Sequence, residues 1–178
     1  MPAPTQTAMS FPDSFQTPRL HAERLRTHHF PDVLRMHADA RQMAPLGGVR
    51  DEAETREYVE RNLDHWDQHG FGLWILREAE DGPVIGRALL RYLSVNGKDE
   101  VEVGYSFHPE YWGKGYATEI ATTLVRLGIE LMGFETIVAI TMRDNDASKR
   151  VLMKAGLEPA GEMLHAGEPH SLFRRRET

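Results

Sequence analysis

The amino-acid sequence predicts a mixed α/β (α+β) domain, and three features of the chain support this prediction. Three apolar segments between residues 71 and 107 are separated by short turn signals, which is typical of an antiparallel meander. A strand, a glycine-containing loop and a helix then follow one another between Val101 and Met132. A β-branched strand, another helix and two strand candidates complete the chain. We therefore expect one domain over residues 17–178, preceded by a flexible lead-in over residues 1–16.

The first half of the chain is expected to contain one strand, two helices and the meander. The expected elements are a strand over residues 19–26, a helix over 31–39, a loop over 44–50, a helix over 51–69 and strands over 71–77, 84–93 and 100–107. Asp51 and Glu54 stand in capping-box spacing at the start of the second helix, and Gly70 is placed to end it. Asp81-Gly82-Pro83 and Asn96-Gly97 are the turn signals between the strands.

The second half alternates helices and strands. A broad apolar face runs from Ala117 to Met132 and predicts a helix that Gly133 ends. Residues 136–142 are β-branched and apolar, as expected for a strand that is covered on both faces. Asp144 or Asn145 is expected to cap a last helix, whose inward residues would be Ala147, Val151, Leu152 and Ala155. Residues 157–164 and 170–174 are candidates for two closing strands.

The composition is that of an ordinary globular protein in water. Of 178 residues, 40% are hydrophobic and 27% are charged. No apolar run approaches the roughly 20 residues that span a bilayer, and the N-terminal segment lacks the pattern of a signal peptide. The formal net charge of −6 disfavours nonspecific nucleic-acid binding. Cysteine is absent, which excludes disulfides and cysteine-held metals. We expect a cytoplasmic protein with neither nucleic acid nor a membrane as partner.

The segment from Val101 to Ala117 is the most informative part of the chain. Val101, Val103, Tyr105 and Phe107 alternate with small or polar residues, and Pro109 ends the strand because proline has no N–H. The following glycine loop leaves free main-chain N–H groups at the positive end of a helix, which suits a phosphate. A tight structural turn is the alternative interpretation. The patterns of a Walker loop and of a dinucleotide fingerprint are absent.

Two sequence blocks, in this order, resemble the GNAT superfamily of N-acetyltransferases, and within it the branch of the ribosomal-protein N-terminal acetyltransferases. The blocks are Trp112-Gly113-Lys114-Gly115-Tyr116-Ala117 and Asn145-Asp146-Ala147-Ser148, the latter leading to Lys154-Ala155-Gly156-Leu157. The resemblance covers residues 17–157. It implies a mostly antiparallel central sheet flanked by helices, with a splayed strand pair at the acetyl-CoA site. It also implies acetyl-CoA as the acetyl donor substrate and an amine as the acceptor.

The resemblance places the donor on the glycine loop and on two later polar residues. The loop residues are expected to bind the pyrophosphate through their main-chain amides, and they are Gly113, Lys114, Gly115, Tyr116 and Ala117, with Trp112 at the first position of the motif. Asn145 and Ser148 are expected along the pantetheine arm. The main-chain N–H of Phe107 is expected to polarise the thioester carbonyl. A solvated Lys114 and a purely structural helix cap at Asn145 are the alternatives.

Acetylation of an amine requires a group that removes a proton, and Glu102 is the first candidate. It is expected to act directly or through a water. The alternative is that Glu102 is an ordinary glutamate on the strand surface. His108 is a rival base, since histidine titrates near neutral pH. Relatives often use a tyrosine to protonate the leaving thiolate, but Leu152 occupies that position. Ser148 is the remaining candidate for this step.

The acceptor is less well defined by the sequence. A protein or peptide N-terminus is the first expectation, and a small amine (an amino sugar, a polyamine or an amino acid) or a non-catalytic acyl-CoA sensor module are the alternatives. His37, Arg41 and Trp66 stand in segments expected to line its pocket. The short tail, with Arg174, Arg175 and Arg176, leaves the last strand open. His28-His29 and the pair His65 and His69 are expected at the surface with no metal, and a homodimer is among the assemblies left open.

Overall fold

Eight strands and five helices make up the computed structural model, which describes residues 10–176. The strands are β1 (Ser14–Gln16), β2 (His21–Arg24), β3 (Leu73–Arg77), β4 (Val84–Val95), β5 (Lys98–Phe107), β6 (Thr136–Met142), β7 (Glu158–His165) and β8 (Glu168–Arg176). The helices are α1 (Phe30–Ala38), α2 (Ala40–Met43), α3 (Glu52–His69), α4 (Tyr116–Met132) and α5 (Asp146–Lys154). Short 3-10 turns lie at Thr27–His29, Ala44–Leu46 and Pro109–Tyr111.

The strands form one sheet in the order β1-β2-β3-β4-β5-β6-β8-β7. All neighbouring strands in the described part of the chain are antiparallel except β5 and β6. This arrangement confirms the predicted mixed fold with its mostly antiparallel sheet. Within residues 10–176, no helix combines the length and the apolar character that crossing a membrane requires.

The parallel neighbours β5 and β6 separate soon after they meet. They pair only at Val101 with Ile137 and at Glu102 with Val138, whereas β5 continues to Phe107. Beyond Glu102, β6 keeps its partner β8 on the other side, and β5 keeps β4. The predicted splayed strand pair is therefore present. The β4–β5 register runs without a shift from Gly86↔Phe107 to Val95↔Lys98, so β5 leaves β6 while its pairing with β4 stays regular.

Apolar residues are buried on both faces of the sheet. On one face, α4 packs through Ile120 and Leu124 against Ala88 and Leu90 of β4. On the other face, Leu89 belongs to a cluster with residues of α1 and α3. Successive residues of β4 thus face opposite layers, as the alternation of a strand requires. Side chains of β4 and β5 that point away from α4 consequently face α1 and α3.

Local signals account for the ends of the two long helices. Asp51 Oδ1 accepts the N–H of Glu54 at 2.8 Å, and Glu54 Oε2 accepts the N–H of Asp51 at 2.8 Å, which is the predicted capping box. Gly70, with φ of 75°, ends α3, and Gly133, with φ of 68°, ends α4. A left-handed residue at this position favours glycine because it lacks Cβ.

The structure differs from the sequence prediction at the N-terminal segment. Ser14–Gln16 form a strand that pairs with β2, although a flexible lead-in is expected there. Phe11 is buried, and its ring lies 5.0 Å from that of Trp74. The partner of Phe11 is distant in sequence, so the local composition of this segment does not reveal the contact. Residues 1–9 of the expected lead-in lie outside the described residues.

The closing segment forms both candidate strands, including the last strand that the sequence leaves open. β7 and β8 make a hairpin around Ala166 and Gly167, and β8 inserts beside β6. Arg174 of β8 pairs with the buried carboxylate of Glu100, which anchors the strand in the sheet. In α5, Ala147 is exposed rather than turned inward, since the helix buries mainly Leu152.

Candidate active site

A cavity of about 860 Å³ opens where β5 leaves β6. On the α4 side it is lined by the glycine loop and by the start of α5, including Asn145 and Ser148. On the α1–α3 side it reaches Tyr58 of α3 and Arg87 of β4. The closing hairpin contributes a further wall through residues 165–170, of which His165, Ala166, Glu168 and His170 line the cavity. The cavity therefore passes through the gap in the sheet and joins its two faces.

The glycine loop offers a row of free main-chain donors. In the described structure, the N–H groups of residues 113–117 have neither a main-chain nor a side-chain acceptor. Trp112, just before them, donates its own N–H to Pro109 O at 3.1 Å. Since these residues lead into the first turn of α4, the partial positive charge of the helix end adds to the donors. The arrangement can hold an anion such as a pyrophosphate.

Two glycines give this loop its shape. Gly113 has φ of 74° and Gly115 has φ of 81°, both in the left-handed region. A Cβ at Gly113 would meet open space, whereas a Cβ at Gly115 would lie 3.2 Å from the guanidinium of Arg19. Arg19 also donates to Lys114 O at 2.7 Å, and it thereby holds the loop from outside. The side chain of Lys114 turns to Tyr111, and its Nζ lies 5.1 Å from the centre of that ring.

The edge of β5 presents main-chain groups to the gap. His108 donates its N–H to Ile85 O of the opposite strand at 2.9 Å. Because main-chain groups alternate in direction along a strand, those of Phe107, Tyr105 and Val103 point away from β4. The indole N–H of Trp112 donates to Phe107 O at 2.9 Å, which agrees with that direction. Beyond Glu102 no β6 residue pairs with this edge, so its N–H groups face the cavity.

The start of α5 brings three polar groups together. Asn145 Oδ1 accepts the N–H of Ser148 at 3.1 Å and caps the helix. Ser148 Oγ and the hydroxyl oxygen of Tyr105 are 2.8 Å apart. Burial raises the pKa of Tyr105 to about 12, so its hydroxyl keeps its proton at neutral pH. Tyr105 is absent from the sequence-predicted site residues, because the alternation of β5 indicates only an apolar core position.

Glu102 lies at the point where β5 and β6 separate and is paired with an arginine. Its carboxylate is buried in the protein, with 6% of the residue exposed, and accepts from Arg91 Nε at 2.8 Å. The attraction of Glu102 raises the pKa of the Arg91 guanidinium against the opposing effect of burial. Phe107 lies five positions further along β5, about 17 Å away in an extended strand. Glu102 and the Phe107 amide therefore occupy different ends of the cavity.

Histidines that the sequence leaves at the surface have defined partners. His29 is buried, contrary to expectation, and its Nε2 lies 2.6 Å from Glu23 Oε1. Glu23, His28 and His29 bring possible metal ligands within 4.8 Å of one another. However, Arg77 also donates to Glu23 Oε1, at 3.2 Å, which gives that carboxylate a cationic partner already. The rival base His108 is buried but is not part of the cavity lining, and burial lowers its pKa.

The cavity wall on the α1–α3 side consists of residues that the sequence analysis does not identify. Its polar members are Gln42, Arg50, Tyr58, Arg87 and Arg91. None of the three expected residues lines the cavity: Trp66 is in the core, His37 bonds Thr55, and Arg41 is exposed. The one signal in the sequence is the pattern Arg87-Ala88-Leu89-Leu90-Arg91, in which two arginines share one face of an otherwise apolar strand.

Comparisons with known proteins agree on this architecture. The family model described as an acetyltransferase (GNAT) domain matches residues 19–158. The chain is similar to the uncharacterized protein YkkB of Bacillus subtilis, with 28% identity over 134 residues, which cover 75% of this chain and 78% of YkkB.

Two solved structures share the fold. An acetyltransferase from Agrobacterium tumefaciens has a TM-score of 0.82 at 22% identity, and the match covers 98% of this chain and 100% of that chain. RimL, a ribosomal L7/L12 alpha-N-protein acetyltransferase solved in complex with coenzyme A, has a TM-score of 0.73 at 17% identity. That match covers 90% of this chain and 95% of RimL.

Proposed function

The chain belongs to the acetyltransferase (GNAT) family, and on this premise we propose that it transfers the acetyl group of acetyl-CoA directly to a primary amine held in the cavity. The observation that carries the proposal is the row of free N–H groups over residues 113–117, at one end of a cavity that continues along the unpaired edge of β5. Donor and acceptor can meet there, because the gap joins both faces of the sheet.

The donor lies along the glycine loop and the edge of β5. The amides of residues 113–117 bind its pyrophosphate, and Trp112 closes the loop through its bond to Phe107 O. The pantetheine arm takes the place of the missing sheet partner, so that Val103, Tyr105 and Phe107 supply main-chain hydrogen bonds. Asn145 and Ser148 border the arm from the start of α5.

The reaction joins the amine nitrogen to the thioester carbon and breaks the carbon–sulfur bond. Negative charge develops on the thioester oxygen, and a main-chain N–H directed into the gap stabilises it. Phe107 is the proposed donor of this hydrogen bond. The amide of Tyr105 has the same direction and lies closer to Glu102.

Glu102 accepts the proton that the acceptor's ammonium group must lose before its nitrogen can attack the thioester. Because Phe107 lies about 17 Å from Glu102 along β5, transfer runs through a chain of waters rather than by direct contact. The ion pair with Arg91 fixes the position of the carboxylate in the cavity wall. Glu102 therefore combines a structural bond with the proposed chemical role.

Ser148 is the proposed hydrogen-bond donor to the departing thiolate. Tyr105 keeps its proton at neutral pH, and its hydroxyl can donate a hydrogen bond to Ser148 Oγ. The serine hydroxyl can then donate its own hydrogen bond to the sulfur. A thiolate with a pKa near about 8.5 needs only such a hydrogen bond and no strong acid. Leu152 cannot serve, because its aliphatic side chain has no acidic proton.

A protein or peptide N-terminus is the proposed acceptor, in keeping with the branch that the motifs resemble and with the similarity to RimL. A small amine is the second candidate, and the polar wall of Arg50, Tyr58 and Arg87 favours it, since such a wall suits a compact charged molecule.

Calorimetric titration with acetyl-CoA and a thiol-release assay over peptides and small amines test the proposal. We expect binding of acetyl-CoA and release of coenzyme A with at least one amine. Binding without release on any amine would indicate a sensor module instead. Absence of binding would contradict both readings.

A further inference from the structure

The cavity wall on the α1–α3 side carries more positive than negative charge. Arg50, Arg87 and Arg91 line this wall, and the carboxylate of Glu102 is bonded to Arg91. The other carboxylate on the cavity surface is that of Glu168, which is exposed at the start of β8. Among residues 10–175, Arg50 and Arg87 form no ion pair. The wall therefore has two guanidinium groups without an anionic partner.

Arg87 is the more buried of these two residues. Only 6% of it is exposed, and its guanidinium carbon lies 5.5 Å from the centre of the Tyr58 ring. No group in the described part of the chain hydrogen-bonds its side chain. A buried charge without a counter-charge is costly. Such a group is expected to face a ligand that completes it.

Arg50 approaches the same ring from the loop before α3. Its guanidinium carbon lies 5.0 Å from the Tyr58 ring centre, and Nη1 lies 3.5 Å from His37 Nε2. Burial lowers the pKa of Arg50, and the nearby Arg87 adds to the lowering. His37 is neutral at neutral pH, because burial and these arginines lower its pKa to about 3, so it offers Arg50 no counter-charge. Both guanidinium groups thus lie near the same aromatic ring, and their positive charges repel each other.

Further polar atoms in this wall lack partners. The Tyr58 hydroxyl and Gln42 Oε1 are buried without a hydrogen bond in the described structure. Gln42 holds its position through Nε2, which donates to Ser106 Oγ at 2.9 Å. Ser106 pairs with Arg87 across β4 and β5, and it precedes Phe107. An anion bound by Arg87 would consequently lie next to the proposed thioester position.

The phosphates of the donor do not explain these arginines. The free amides of residues 113–117 lead into α4, on the opposite face of the sheet from Tyr58. The arginines on the α1–α3 face therefore remain available to the acceptor.

We propose that Arg50 and Arg87 bind an anionic group of the acceptor, so that the preferred substrate is an amine that carries a carboxylate or a phosphate near its nitrogen. Guanidinium groups form paired hydrogen bonds with both kinds of anion, and the Tyr58 hydroxyl adds a donor. This inference rests on the proposed acetyl transfer, since it concerns the second substrate of the same site.

Matched pairs of acceptors test the proposal in the thiol-release assay. They are glycine and glycinamide, phosphoethanolamine and ethanolamine, and peptides that begin with Ser-Asp or Ser-Asn. We expect kcat/KM to be about 10- to 100-fold higher for the anionic member. The pair with the largest ratio identifies the source of the anion. Equal rates within every pair would overturn the proposal.

Variants identify the residues. Arg87→Gln and Arg50→Gln should raise KM for the anionic acceptor about 10-fold or more and remove the preference within the pair, whereas KM for acetyl-CoA stays unchanged. Arg87→Lys should restore part of the preference. Arg61→Gln is the matched control, because Arg61 lies 6.0 Å from the same ring but is exposed on α3. An equal effect of the control would show that only overall charge matters.

A binding measurement keeps the inference separate from the proposed function. With coenzyme A present, N-acetylglycine and N-acetylglycinamide are titrated into wild type and Arg87→Gln. We expect tighter binding of the anion to the wild type alone. If no amine is acetylated but this difference appears, the reaction is refuted and the anion site stands. If acetylation occurs but binding does not discriminate, the anion site is refuted.

Discussion

Arg91 of β4 and Glu102 of β5 face each other with Nε and Oε2 2.8 Å apart, at the point where β5 and β6 separate. Glu102 pairs with Val138 in the last parallel register position before the gap. The ion pair therefore joins the sheet to the cavity. Any chemical role of Glu102 must be separated from its contribution to stability.

We expect Glu102→Gln to lower kcat by about 100-fold, with the larger loss at lower pH. At low pH nearly all of the amine is protonated, so the reaction depends most on a group that removes the proton. The affinity for coenzyme A should stay nearly constant, because the loop over residues 113–117 is untouched. The pH–rate profile and calorimetry measure these effects.

Arg91→Gln provides the control for this variant, since it breaks the same ion pair and keeps the carboxylate. Each substitution leaves one partially buried charge or acceptor unpaired, and should lower the free energy of unfolding by about 1–3 kcal/mol. A loss of kcat in Glu102→Gln but not in Arg91→Gln would support Glu102 as the general base. An unchanged pH–rate profile in Glu102→Gln would remove Glu102 from that role.

The glycine loop gives a second prediction. Gly113→Ala and Gly115→Ala each force a side chain into the left-handed region, which costs about 1–2 kcal/mol. Relief of this strain moves the amides, so the dissociation constant for coenzyme A should rise about 10-fold. Gly133→Ala is the matched control, because Gly133 has φ of 68°, an open surrounding and a position at the far end of α4. The Gly133→Ala variant should have a lower free energy of unfolding but an unchanged dissociation constant for coenzyme A.

The glycine loop and the cap of α5 could be predicted because their signals are continuous in sequence. Gly113 and Gly115 shape one loop. Asn145 caps α5, the helix that follows α4 and β6 in the chain. The same is true of α3, whose capping box lies within four residues. Local patterns determine such elements because the interacting groups are neighbours in the chain.

The residues of the proposed acceptor site could not be predicted, because tertiary packing brings them together. Tyr58 comes from α3, Arg87 from β4 and Arg50 from the loop before α3. The contact of Phe11 with Trp74 is not apparent from the sequence for the same reason. Arg87 lies 29 positions from Tyr58, and Trp74 lies 63 positions from Phe11, and periodicity carries no information over such separations.

The N-terminal contact is open to a stability test. Phe11 is 2% exposed, and Phe11→Ala removes a buried aromatic ring, which should lower the free energy of unfolding by about 3–5 kcal/mol. Pro12→Ala, at an exposed neighbour, is the control. Urea titration measures both. Equal stability of the two variants would restore the interpretation of residues 10–16 as a flexible lead-in.

The hydrogen bond between Tyr105 and Ser148 predicts coupled variants. Tyr105→Phe and Ser148→Ala should each reduce the rate of thiol release, and the double variant should lose little more than the worse single variant. Both changes remove the same bond, so the coupling free energy should be about 0.5–1.5 kcal/mol. Additive losses would show that the two hydroxyl groups act independently.

The buried His37 predicts a pH dependence of stability. Burial lowers its pKa from 6.5 to about 3, whereas the unfolded chain keeps the ordinary value. Between these values the unfolded state binds one more proton than the native state, so stability falls as the pH falls. Each pH unit in this window removes about 1.4 kcal/mol.

Urea titrations of wild type and His37→Gln at pH 7 and pH 4.5 measure this effect. From pH 7 to pH 4.5, the wild type should lose about 2.5 kcal/mol more than the variant, because glutamine cannot take up the proton. The variant amide can keep a hydrogen bond to Thr55, so stability at pH 7 should change less. His69→Gln, on the exposed end of α3, controls for the loss of a histidine. Equal acid sensitivity of wild type and His37→Gln would mean that His37 is protonated in the native state.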